Sequence, residues 1–200
     1  MGAPISRRRF VAAGAMGTLG ALLAPEAVFA DEGQPELLRW DLVSVRDGVV
    51  LPGGTDTARD ATTGDTVSLT GSGDAKPGEG TATGGGTFLH RTALGALVAQ
   101  GVYFVTGFNS FVKPGGSLVN VGLKDGIGTL NQTSGGVLSL KIHAIVDAPP
   151  SRAGGMVDGV LEVHCGLPGG AAITEGVRLS VLTFKFIQQT GATLFHVLED

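Results

Sequence analysis

Val137-Leu138-Ser139-Leu140-Lys141-Ile142-His143-Ala144-Ile145-Val146 decides the fold class of this chain. Leu138, Leu140 and Ile142 lie two apart and share one face of an extended backbone, while Ser139, Lys141 and His143 share the other. One face suits a core and the other suits water, which is the pattern of a strand in an antiparallel sheet. The same alternation is read along Val177 to Phe186, with Leu182, Phe184 and Phe186 expected on one face and Val181, Thr183 and Lys185 on the other.

Outward from this segment, further apolar or alternating runs are separated by Gly, Pro, Asn and Asp clusters: Leu38 to Val45, Thr66 to Ser72, Thr81 to His90, Leu97 to Phe108, Ser117 to Leu123, Val157 to Leu167 and Thr193 to Leu198. The spacing predicts about nine or ten strands. No convincing amphipathic helix separates them, so parallel βαβ units are not expected and the class is all-β, a single antiparallel β-sandwich or β-barrel. Gly53 to Gly86, with Asp56, Asp60, Asp65, Asp74 and Glu79 among glycines and threonines, is expected to form long connections or an exposed hairpin edge. Tyr103, Phe104, Phe108 and Phe111 are the densest aromatic group and are read as a core ridge along a strand and its following bend.

Composition agrees. The 200 residues are 42% hydrophobic and 16% charged, enough apolar side chain for a core and too little charge for a disordered chain. Glycine, at 34 residues, is far above its usual share of about 7%. Without a three-residue period, and with only 9 prolines, it points to turns and bulges rather than collagen.

Residues 1–30 read as an export signal. Ser6-Arg7-Arg8-Arg9-Phe10-Val11 precedes a weakly apolar stretch diluted by Gly14, Gly17 and Gly20, and Val28-Phe29-Ala30 ends in a small residue. This resembles the twin-arginine signal pattern, with Arg7, Arg8 and Phe10 as the recognition residues and Ala30 as the cleavage position. The resemblance implies export of a folded protein by the twin-arginine machinery, processing by a signal peptidase and a secreted, periplasmic or cell-envelope location. The mature part, 31–200, is read as one exported domain. It has no stable membrane anchor by this reading, since the apolar run is short and no other stretch reaches 18 apolar residues. Loss of the signal takes the basic count from 14 to 11 and the acidic count from 18 to 17, a net charge of −6 that argues against nucleic acid as a partner. Cys165, the single cysteine, alternates onto the face of Leu161 and Val163 and is expected to be an inert buried thiol.

Catalytic signatures are sparse. No G-x-S-x-G elbow or phosphate-binding loop is present, and Ser110-Phe111-Val112-Lys113 lacks the motifs that accompany S-x-x-K in penicillin-binding enzymes. Metal ligation has weak candidates in Glu162 and His164, two apart on one strand face, with His143 and His196 on strands that would have to lie alongside. No cofactor is implied. Gly84-Gly85-Gly86-Thr87-Phe88 resembles the glycine-rich strand of dirigent and allene oxide cyclase-type barrels; the five-residue match implies a barrel and assigns no site.

These features lead to an exported β-domain with a non-catalytic role in binding or envelope structure. The alternative is an exported enzyme or small-ligand carrier, metal-dependent or not, with Tyr103, histidines and a few acids lining a barrel interior. A cavity of several hundred cubic ångströms favours the alternative, and a filled, dry core removes it.

Overall fold

The computed structural model describes residues 35–147 and 155–198. These residues form fourteen strands and two short 3-10 turns, with no α-helix among the described residues. In chain order the strands are β1 (Leu37–Arg46), β2 (Val49–Pro52), β3 (Asp56–Asp60), β4 (Thr66–Leu69), β5 (Ser72–Lys76), β6 (Thr81–Arg91), β7 (Leu97–Val112), β8 (Lys124–Asp125), β9 (Thr133–Ser134), β10 (Gly136–Asp147), β11 (Gly155–Cys165), β12 (Gly176–Val181), β13 (Phe184–Thr190) and β14 (Thr193–Leu198).

Eight of them close a barrel. The antiparallel order β4-β3-β13-β12-β11-β10-β7-β6 returns to its start because β6 also pairs with β4. Closure removes the open sheet edges that invite aggregation. Of the two all-β architectures compatible with the sequence, the barrel is therefore the one adopted.

One edge of β6 serves two partners. Its first half, Thr81 to Gly85, pairs with β5, and its second half, Phe88 to Arg91, pairs with β4. β5 then leads away from the barrel through β1 and β14 to β9. Gly84-Gly85-Gly86 sits at this fork, and a Cβ on Gly86 would lie 1.8 Å from the Thr70 carbonyl oxygen in the link between β4 and β5. The chain can cross over β6 at this point because β6 has no side chain there.

The alternation read from β10 holds: Leu138, Leu140 and Ile142 are buried, Lys141 is exposed, and Ser139 and His143 are intermediate. Opposite them on β11, Leu161 pairs with Leu140 and Val163 with Leu138. Trp40, Phe111 and Phe195 join these residues in one continuous core, and Phe111 meets Phe195 edge-on at 5.6 Å. Cys165 is fully buried, as its phase predicts.

Four expectations change. Val177 to Phe186 is two strands, because the chain turns at Leu182 with φ 51°; Leu182 is 77% exposed rather than sharing the inner face with Phe184 and Phe186. Ser117 to Leu123 is not a strand, and pairing resumes only at β8. β7 runs on to Val112, with two register shifts against β10, so Phe111 belongs to the strand; Tyr103 and Phe111 are buried while Phe104 stands half-exposed. Gly53 to Gly86, expected to form long connections or an exposed hairpin edge apart from the strand at Thr66 to Ser72, contains β3 and β5 besides β4. Asp56 and Asp60 on β3 are buried in the barrel wall, and each accepts at least one backbone amide. Asp60 accepts the amides of Thr62, Thr63 and Lys185 at 2.8–2.9 Å, closing the β3–β4 turn and fixing the start of β13. These bonds hold its carboxyl below the usual carboxylate range.

Candidate ligand cavity

The two ends of the barrel are filled differently. Toward one end, β10 and β11 contribute Leu138, Leu140, Leu161 and Val163, and Trp40 and Phe195 complete a solid layer. Toward the other end the same strands contribute Ile142, Ala144, Val157 and the glycines at 155 and 159. Ala144 and Gly155 present little or no side chain there. The result is a cavity of about 390 Å³, within the range of roughly 300 to 1,000 Å³ typical of small-molecule sites.

Its wall is almost wholly apolar, with Val67, Leu69, Phe88, Val181, Phe184 and Phe186 facing the Ile142 and Ala144 side. Among the described residues, two polar side chains reach it, Tyr103 and His90. Tyr103 is buried and donates its hydroxyl to the Thr70 carbonyl at 2.9 Å. Burial raises its pKa and the nearby Asp56 charge adds to the effect, so the phenol stays neutral.

His90 sits near the end of β6, where alternation places it on the inner face two residues after Phe88. Its ring meets Phe184 and Phe186 edge-on at 5.0 and 5.4 Å, and these two rings stack on each other. His90 Nε2 lies 3.0 Å from Oδ2 of Asp65, whose Oδ1 accepts the Ala93 amide at 3.2 Å. Asp65 thus ties the β3–β4 turn to the β6–β7 loop and sets the orientation of the imidazole. The histidine side chain is 11% exposed and Asp65 16%, so the pair is largely shielded from water.

The structure keeps the weak metal candidates apart. His143 on β10 faces outward and pairs with Asp158 on β11 at 2.8 Å. Glu162 and His164 do share a face of β11 and meet at 3.3 Å. Burial lowers the His164 pKa; Glu162 acts in the opposite sense and Arg178 adds to the lowering. His196 on β14 is buried, with Nε2 2.7 Å from Asp125 Oδ2. Burial would raise the Asp125 pKa, but bonds from His196 and the Ile127 and Gly128 amides hold it below the ordinary range. Each histidine therefore has its own carboxylate, and among the described residues no three His, Cys, Asp or Glu side chains form a group that could hold a metal. Arg7, Arg8, Phe10 and Ala30, assigned to signal recognition and cleavage, lie outside the described residues.

His90 and Asp65 were not singled out by the sequence. The available signal was phase: Phe88 and His90 share a strand face, and a histidine alternating with a core phenylalanine is an inward imidazole. Asp65 is 25 residues away in a turn, and only closure of β4 against β6 brings it to the ring. Comparisons with protein-family models, with curated proteins and with solved structures gave no match, so what the cavity holds must be argued from its own residues.

Proposed function

We propose that this chain is an exported small-ligand carrier, the alternative that a cavity of this size favours, and that it holds a small apolar molecule in the open end of its barrel. The observation that carries the reading is the cavity of about 390 Å³, whose wall is apolar apart from His90 and Tyr103. A domain with a purely structural role would gain stability from filling this space, because empty apolar volume costs packing energy. Leu182 lines the cavity and is 77% exposed, which gives its rim an apolar approach from outside. Export rests on Arg7, Arg8 and Phe10 with cleavage after Ala30, and makes the twin-arginine machinery and a signal peptidase the processing partners of a protein that works in the periplasm, envelope or medium.

Fluorescence titration of residues 31–200 with N-phenyl-1-naphthylamine, an uncharged apolar probe, tests the binding reading. Saturable one-to-one enhancement is expected, and Ala144→Phe, which places a ring in the cavity, is expected to abolish it while the protein stays folded. Absence of saturable binding by the native sequence, or undiminished binding by a folded Ala144→Phe, rejects the reading. Export is tested separately by fusing residues 1–35 to a reporter in a bacterial host: Arg7→Lys with Arg8→Lys is expected to leave it in the cytoplasm, and an unchanged distribution rejects that route.

A further inference from the structure

We infer that His90 makes the cavity selective for an apolar molecule bearing a hydroxyl group, an alcohol or phenol that donates its proton to Nδ1. The inference deepens the binding reading and rests on it.

Among the described residues, Tyr103 brings the one other polar side chain to the cavity wall, and it is already committed. Its hydroxyl donates to Thr70, and a Cβ on Gly71 would lie only 2.1 Å from the phenol oxygen, so backbone closes over that side of the group. Of the described lining side chains, that leaves His90 to meet a polar group on a bound ligand.

Which proton His90 carries follows from Asp65. An ionised carboxylate only accepts hydrogen bonds, and Asp65 receives the Ala93 amide at Oδ1 and His90 at Oδ2. In an uncharged imidazole the proton then sits on Nε2. Nδ1 is then the acceptor that His90 can offer a ligand in the cavity it lines. The edge-on contacts with Phe184 and Phe186 hold the ring plane, so the acceptor is presented in a fixed direction. An acceptor shielded by apolar side chains selects by penalty as well as attraction: a ligand without a donor displaces the water that would otherwise satisfy Nδ1 and replaces it with nothing.

The test uses two molecules of one skeleton, 2-naphthol and 2-methoxynaphthalene, as competitors against N-phenyl-1-naphthylamine at pH 7.5. Both are apolar and only the naphthol donates. The native domain is expected to prefer 2-naphthol by about tenfold beyond the ratio given by His90→Phe, a variant that keeps an aromatic ring against Phe184 and Phe186. Asp65→Asn supplies a second arm. Its amide oxygen retains the Ala93 amide and its nitrogen donates to Nε2, moving the ring proton to Nδ1, so the preference for naphthol is expected to fall toward that of His90→Phe. Equal ratios in the native domain and in His90→Phe overturn the inference, as does an unchanged preference in Asp65→Asn. Should His90→Phe fail to fold, the Asp65→Asn ratio decides. If the probe binds but neither naphthalene displaces it, the inference fails while the cavity reading stands; if the probe does not bind, both fail.

Discussion

Asp56 Oδ1 accepts the backbone amide of Ala192 at 2.9 Å across 136 residues of chain, while its Oδ2 is buried with no hydrogen-bond partner among the described residues. Burial pushes the Asp56 pKa up to about 7; the Ala192 bond works against the rise and the nearby Glu175 charge adds to it. A carboxyl with a folded pKa above its unfolded value favours the fold when protonated. Stability is therefore full below about pH 4 and declines as pH rises to about 7, with a ceiling of about 4 kcal/mol. Asp56→Asn keeps an oxygen for Ala192 and removes the charge. Urea midpoints at pH 4.5, 6 and 7.5 are expected to fall in the native domain and to fall less in the variant. Glu175, raised by its own burial, accounts for the residual slope. Equal slopes in the two proteins would show that Asp56 does not ionise over this range.

Gly86→Ala is expected to disturb the fork in β6. The added methyl would meet the Thr70 carbonyl at 1.8 Å and the backbone of Gly71 at 2.8 Å, so the β4–β5 link has to move. Overpacking of this kind costs about 1 to 3 kcal/mol. Because Thr70 also receives the Tyr103 hydroxyl, apolar probe binding should weaken along with the melting temperature. A melt within one degree of the native value would show that the link is not held against β6.

The thiol of Cys165 donates to the Thr193 carbonyl at 3.3 Å, and burial raises its pKa. Only the thiolate attacks disulfide reagents, so Cys165 should be inert to dithionitrobenzoate in the native domain and react in step with urea unfolding. Prompt reaction without urea would mean that β14 separates readily from β11.

Chelator and added zinc should leave the melting temperature unchanged, because His143, His164 and His196 are each matched with a separate carboxylate. Asp125→Ala, by contrast, should destabilise. It removes a carboxylate that serves His196 and the Ile127 and Gly128 amides, leaving the buried His196 imidazole unpaired at a cost of about 2 kcal/mol or more. A melt that rises with zinc would show that metal links two of these pairs.

By itself the sequence determined what depends on neighbours along the chain. Period-two alternation in 137–146 places the inner face of β10, the phase of Cys165 puts it with Leu161 and Val163, and the glycine content anticipates turns. Local pattern was also where it misled: Leu182 continues the alternation of Phe184 and Phe186, yet a two-residue turn uses that position, because hairpin geometry depends on what the following strand can pair with. Tertiary structure alone decided barrel over sandwich, since closure rests on β6 accepting β4 along an edge whose first half is taken by β5. It also decided that Asp56 and Asp60 are buried, and that Asp65 reaches His90. A carboxylate in a glycine-rich stretch reads as solvent-exposed until the amides that receive it, some more than a hundred residues away, are known. The cavity belongs to the same class. Ala144 and Gly155 look like ordinary strand residues in sequence, and become the lining of a cavity only when the barrel closes around them.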